Sequence, residues 1–488
     1  MNKFYNLALY SVTLLLTLVN PVWAKASKPN FIVILTDDQG YADVGFNGSK
    51  DIVTPNIDRI ANEGTRFTNG YVTYSVCGPS RAGLLTGRYQ GRFGFGRNPI
   101  IDPTDPLAGL PLEEQMISEV LQGVGYTSSA IGKWHMGSHP KFHPNNRGFD
   151  HFYGFLSGGH RYFPEELIYE DEAQGIAMDS HKSPSNSWYH TKLLRNNEVV
   201  ETSTYLTDEL SREAIEFIEQ EKDNPFFLYL AYNAPHSPLQ ASKEYLARNT
   251  HIKDKKRRTY ASMITAVDDG VGSVLAKLEQ LNLDDNTLIF FLSDNGGALK
   301  SSAKNVPLRG MKGDFFEGGI RVPFAVRWPE KIPAGVDYNN PVSSLDILAT
   351  FASLTNASIS TERPLDGVNL MPFILGENQG LPHDVLFWRS FDSNILASRR
   401  GNAKAISSSQ IGDHLYNLSN DLAERHDLSE KQSNTFDQQK VEMDLWATEL
   451  QDPIFRKLTD GPIKAANKKH NEKKAKERIA RSEGSEGY

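Results

Sequence analysis

The chain has 488 residues, 39% of them hydrophobic, which is enough for one large globular domain with a smaller appendage. Its formal net charge of -8 excludes the clustered Lys and Arg footprint that nucleic-acid binding needs. One cysteine, Cys77, excludes any intramolecular disulfide.

Taken in chain order, the N-terminus carries Lys3, an apolar stretch over residues 7–19, and small residues at Ala24 and Ala26. This layout predicts a cleavable signal peptide over residues 1–24, hence a secreted or periplasmic protein without stable membrane insertion. A lone thiol in an exported protein then asks for a reason. A buried cysteine acting as a small hydrophobe is the plain one.

Apolar or β-branched runs at residues 31–35, 126–131, 226–232 and 288–292 are each followed at once by polar residues, the signature of buried parallel strands. Between them, residues 112–121, 206–219 and 262–281 carry helical patterns, so the fold class is α/β. In such sheets ligands bind beyond the carboxyl ends of the strands. Asp37 and Asp38, Lys133 and His135, His236, and Asp294 and Asn295 all fall there, predicting one site assembled from distant segments.

Residues 157–197 lack apolar periodicity and predict an insertion over the site, with His160, Arg161, Tyr162, His181 and His190 offered to a substrate. After residue 375, short pieces at 385–389, 395–399 and 414–418 with a helix at 438–450 predict a small antiparallel sheet and terminal helix. Residues 461–488, rich in Lys, Glu, Ala and Gly, predict a charged disordered tail.

The chemistry centres on Cys77-Gly78-Pro79-Ser80-Arg81, followed by Leu85-Thr86-Gly87-Arg88. Pro79 suits the first turn of a helix, which places Cys77 just before a positive N-terminus and Arg81 on the same face, able to fork onto two anionic oxygens. The adjacent carboxylates Asp37 and Asp38, and the Asp294-Asn295 pair, would repel at a shared site unless a cation neutralised them. An all-oxygen set prefers a hard ion, calcium or magnesium.

The Cys77 segment resembles the signature of the type I, formylglycine-dependent sulfatases of the alkaline-phosphatase-like superfamily. Lys133-Trp134-His135, the run from Asn233 to Pro238, and Arg309-Gly310-Met311-Lys312-Gly313 continuing to Pro323 resemble that family's other motifs, in the same order. The resemblance spans residues 29–375 and continues more weakly through residues 415–418. It implies a large mixed, mostly parallel sheet flanked by helices, a catalytic domain over 28–375, and a C-terminal α+β subdomain over 376–460.

It implies, further, that Cys77 is oxidised to formylglycine by a maturation enzyme, and that Asp37, Asp38, Asp294, Asn295 and position 77 hold one calcium ion rather than magnesium. Arg81, Lys133 and Lys312 would compensate charge, His236 would protonate the departing alcohol, and His135 would deprotonate the second hydroxyl of the hydrated aldehyde. The substrate expected is a sulfated oligo- or polysaccharide, such as an algal galactan like carrageenan or a glycosaminoglycan. An arylsulfatase, or a phosphodiester or phosphonate monoester hydrolase of the same superfamily, is the alternative. Oligomeric state is not legible.

Overall fold

The computed structural model describes residues 28–167 and 191–456. The predicted signal peptide and tail, and His181 and His190, lie outside these residues. Among the described residues no helix is long and apolar enough to cross a membrane.

A ten-stranded sheet organises the chain. From edge to edge it runs Val336–Tyr338, Thr65–Phe67, Phe324–Arg327, Thr287–Ser293, Asn30–Thr36, Phe226–Ala231, Thr127–Lys133, His151–Phe155, Leu194–Arg195 and Glu198–Val199. The five strands from Thr287–Ser293 to His151–Phe155 are mutually parallel. Antiparallel pairings flank them at Phe324–Arg327 and Leu194–Arg195, so the sheet is mixed.

The continuous apolar runs exist because both faces are covered. Phe31, Val33, Leu35, Phe290 and Leu292 pack on one face with Ile347, Leu348 and Phe351 of the helix Asp346–Thr355. Ile32, Ile34, Ile289 and Phe291 pack on the other with Leu210, Ile218, Val267 and Val271 from the helices Leu206–Gln220 and Lys255–Gln280. Burying such a side chain contributes roughly 1.5–3 kcal/mol, which makes these alternating contacts the main source of stability.

Register brings the chemistry level. Thr36 pairs with Ser293, Leu35 with Ala231, and Gly132 with Ala231, so the segments beginning at Asp37, Asp294, Tyr232 and Lys133 leave the sheet side by side. Gly132 is required there. At φ +104 its backbone disfavours other residues, and a Cβ would sit 2.1 Å from the Ala231 carbonyl oxygen.

The second, smaller sheet is antiparallel in the order Val385–Ser390, Ile395–Arg400, Ala403–Ser408 and His414–Asn417, with the helix Ser433–Ala447 against it. Three of its strands match the sequence reading. The strand Ala403–Ser408 was not predicted, and the terminal helix starts five residues before the expected 438. The helix expected over 112–121 is shorter, Ile117–Gln122, because the Glu119 carboxylate takes the Met116 backbone N–H and fixes the start there. The helix expected from 262 begins earlier, at Lys255, where the Asp254 side chain accepts the Arg257 N–H.

Candidate active site

Cys77 is the first residue of the helix Cys77–Thr86, rather than the residue before it, and every residue of that helix is buried. Asn98 Oδ1 accepts the otherwise unpaired Gly78 N–H at 2.9 Å, and Pro79 in the first turn has no N–H to satisfy. Gly87 ends the helix in the left-handed conformation at φ +63.

The loops after the strands converge on this helix. Asp294 N–H donates to the Thr36 carbonyl, Asp37 N–H to Ala234, and Lys312 N–H to Gly297. Gly296 lets the Asp294-Asn295 turn lie against the loop at Gly318, where a Cβ would be 1.8 Å from the Gly318 carbonyl oxygen.

All ten residues singled out in the sequence meet here. Cys77 Sγ lies 3.4 Å from Asp37 Oδ1, and Lys312 Nζ is 3.1 Å from Cys77 Sγ and 2.6 Å from Asp38 Oδ1. Lys133 Nζ is 2.6 Å from Asp37 Oδ2. Arg81 donates from Nε to Asp294 Oδ2 at 2.8 Å and from Nη1 to the Lys133 carbonyl at 2.9 Å. Its guanidinium thus bridges two of the converging loops, where the sequence reading had it turned only toward an incoming anion.

His236 Nε2 is 3.7 Å from Asp38 Oδ2, and its Nδ1 is 2.6 Å from the Ser237 carbonyl oxygen, which fixes the ring. His135 is fully buried. Asp38 and His135 both occupy the left-handed region, at φ 64 and 63, a cost of order 1–3 kcal/mol each for residues with side chains. Strain of that kind is kept where it aims a functional group.

Three carboxylates and three cations share this volume. Burial pushes the Cys77 thiol up to about 12, with Asp37 adding to the effect, so the sulfur is a neutral thiol at neutral pH. Burial raises Asp294 to about 6, helped by Asp37 and opposed by Arg81. Burial acts the same way on Asp38, but Lys312 and His236 outweigh it and hold that carboxyl well below its usual range. Both histidines are neutral: burial lowers His236 to about 3 with the help of Lys312, and burial together with Lys133, Arg81 and Lys312 depresses His135.

A cation fits this set. Asp37, Asp38, Cys77 and His236 offer ligand atoms all within 4.8 Å of one another. Asn295 Oδ1 is buried without a hydrogen-bond partner, while its Nδ2 donates to Asp38 Oδ1 at 2.8 Å. An oxygen-rich donor set with an unsatisfied amide oxygen is what a hard divalent ion takes up. His236 lies at the edge of this set, with Nε2 3.7 Å from Asp38 Oδ2.

Two features escaped the sequence reading. His160 and Tyr162, expected to meet a substrate, are buried and turned to the protein's own backbone, with His160 Nδ1 3.0 Å from the Arg161 carbonyl oxygen. Tyr162 Oη lies 2.7 and 2.8 Å from the carbonyl oxygens of Asn233 and His236, so the described part of the insertion props the second histidine loop. The second feature is a buried ion cluster behind the Lys312 loop. Lys404, on the small sheet, lies 2.8 Å from Glu317 Oε1 and 3.1 Å from Glu424 Oε1, and Glu317 Oε2 accepts from Tyr71 Oη at 2.5 Å. Arg309 Nη1 donates to Tyr416 Oη at 3.3 Å and to the Glu424 carbonyl at 2.8 Å, which ties the start of the lysine loop to the small sheet and the segment after it. Only the Lys404 position, an isolated lysine in an apolar strand, could have signalled it.

A buried sulfur, a hard-cation donor set and three cations at the carboxyl edge of a parallel sheet define a hydrolase centre for an anionic ester. Residues 29–357 match the family model described as Sulfatase. The chain is 35% identical to N-acetylgalactosamine-6-sulfatase of Homo sapiens over 77% of this chain and 71% of that protein, and 31% identical to Steryl-sulfatase of Homo sapiens over 74% and 72%. The crystal structure of Ps i-CgsB in complex with k-i-k-neocarrahexaose is similar at a TM-score of 0.80 and 43% identity, over 88% of this chain and 94% of that one. The chain belongs to the sulfatase family and is a sulfatase.

Proposed function

We propose that this enzyme removes sulfate from a sulfated carbohydrate, a galactan such as carrageenan or a glycosaminoglycan, with formylglycine at position 77 and calcium beside it. The observation that carries the chemistry is that Cys77 lies within hydrogen-bonding reach of Asp37 and Lys312, which in turn pair with Lys133 and Asp38. The similarity to a sugar sulfatase and to a protein crystallised with a neocarrahexaose supports the substrate class.

Oxidised to formylglycine and hydrated, position 77 offers two hydroxyls on one carbon, one to attack sulfur and one whose deprotonation expels the sulfate, where a serine would stay esterified. Asp37, Asp38, Asp294 and Asn295 would hold the calcium, which would supply Lewis acidity at position 77. The resting charges of Asp37, Asp38 and Asp294 balance those of Arg81, Lys133 and Lys312. A divalent ion adds two positive charges, which one sulfate monoester and one ionised nucleophile cancel.

Lys133 and Lys312 hold the sulfuryl oxygens and position 77, and Arg81 braces Asp294 against the helix. His135, kept neutral, is the proton acceptor for the second hydroxyl. His236 donates to the departing alcohol oxygen. It is neutral at rest, and the negative charge of the arriving ester is what favours its protonation.

Similarity to Arylsulfatase J of Mus musculus, at 36% identity over 71% of this chain and 56% of that protein, favours a second reading, an arylsulfatase. A mass spectrum of the Cys77 peptide, with sulfate release measured on sulfated oligosaccharides and on an arylsulfate, tests both readings. An aldehyde mass with release from the sugars is expected. Unmodified cysteine in active protein overturns the nucleophile, and release from the arylsulfate alone overturns the substrate.

A further inference from the structure

Beside the catalytic loops lies a cavity of about 570 Å³ that the mechanism does not use. Its wall includes Ser237, the residue after His236, and Lys300, which follows the Asp294-Asn295 turn by five positions in the chain. Lys255, Lys256 and Thr259 from the first turns of the helix Lys255–Gln280 complete it, with Leu239 its one large apolar side chain. Three lysines line it and no carboxylate does, in a protein whose net charge is -8.

Lys255 and Lys256 are exposed, and neither ammonium has an ion-pair partner among the described residues. Their neighbours are differently disposed. Arg257, on the same helix, is 2.7 Å from Asp43 and 2.8 Å from Asp51, and Lys304 is 2.8 Å from Asp51, so the nearby carboxylates are already engaged away from the cavity. Tyr260 fixes the helix to the metal-side loop, donating to Asp43 Oδ2 at 2.8 Å and accepting from the Gly40 N–H at 3.1 Å. The first turns of that helix, which carry Lys255 and Lys256, are therefore fixed against the loop that follows Asp38.

We propose that this groove is a second anion subsite, which holds a sulfate or carboxylate on a sugar unit flanking the one that loses its sulfate. Its volume lies within the usual range for small-ligand sites. No aromatic ring lines it to stack on a sugar face, so charge is what it selects. The enzyme would then prefer a multiply anionic oligosaccharide over a sugar with a single sulfate. The inference rests on the carbohydrate reading above.

The test compares wild-type enzyme with the triple variant Lys255→Gln, Lys256→Gln, Lys300→Gln, on 4-nitrophenyl sulfate and on a carrageenan hexasaccharide with several sulfates. Affinity for the hexasaccharide is also measured by calorimetry in a Cys77→Ala background, where turnover cannot interfere. With three exposed charge pairs lost, the variant should bind the hexasaccharide roughly tenfold more weakly, with KM rising alike and a flatter salt dependence. Kinetics on the arylsulfate should not change. Equal binding and KM for the hexasaccharide in both proteins would overturn the subsite. If the wild-type enzyme hydrolyses the arylsulfate yet neither binds nor cleaves the hexasaccharide, the carbohydrate reading falls and the subsite with it.

Discussion

Two buried charge clusters sit on either side of the Lys312 loop, and they differ in a way that separates function from support. In the active centre, Asp38 and His135 have strained backbones, an amide oxygen of Asn295 is unpaired, and a neutral thiol sits among charges. Behind it, Glu317 and Glu424 share Lys404, with Arg321 3.3 Å from Glu317 and Arg399 on Tyr71. Lys404 and the neighbouring arginines hold Glu317 at about 2 against burial, whereas burial and Glu317 raise Glu424 to about 7. The first cluster is left open toward a ligand. The second closes on itself and locks the loop that carries Lys312 to the small sheet.

The difference is sharpest where a substitution changes activity or stability but not both. Cys77→Ala should lower turnover by about ten-thousandfold or more while the melting temperature stays close to wild type, read by sulfate release and calorimetry. Lys404→Met should do the reverse. It leaves the buried Glu424 without its cation and Glu317 with Arg321 alone, and should cost about 3–5 kcal/mol of stability in denaturant unfolding. If Lys404→Met instead abolished turnover at unchanged stability, the division between the clusters would fail.

Chelation should abolish activity and lower stability by about 3 kcal/mol when compared with enzyme at a hundredfold excess of ion over its dissociation constant, and calcium should restore both. Asp294→Asn, which keeps shape but removes a charge, should leave the chelator with little further effect on stability.

The smallest effect lies away from both clusters. His383 Nε2 is 2.7 Å from Asp346 Oδ1, whose carboxylate also accepts the Ser343 and Val368 N–H groups. Burial opposes the charged imidazole, but Asp346 outweighs it and raises His383 above its usual value. The contribution is therefore fully present below the unfolded value near 6.5 and is lost as pH rises through the higher folded value. His383→Gln should remove that pH dependence at a cost of about 1 kcal/mol in acid, measured by unfolding at several pH values.

The central strands were legible because both faces are buried, so residues 31–35 and 288–292 are unbroken apolar runs. The strands Thr65–Phe67 and Phe324–Arg327, between the edge strand Val336–Tyr338 and the parallel core, were not, since three or four residues pairing with each other across more than 250 positions leave no local period. Ala403–Ser408 was missed because its inward residues are Lys404 and Ile406 between small side chains, and a buried lysine hides a strand pattern. The convergence of Asp37, Asp38, Lys133, His135, His236, Asp294 and Asn295 was legible because each cluster comes after an apolar run, whereas Cys77, Arg81 and Lys312 were placed with them only by the family resemblance. What each group touches was not: Arg81 gripping Asp294, and Tyr162 supporting the His236 loop, depend on contacts made across the fold.

The burial of Cys77 also sets an order in time. Its walls come from Asp37, which precedes it, and from Lys133, Asp294 and Lys312, the last of which follows it by 235 positions. At about 5–20 residues per second, roughly ten to fifty seconds separate the synthesis of the thiol from that of its final covering lysine. Any enzyme that modifies this side chain works within the interval before the pocket closes. A faster-folding sequence would shorten that interval.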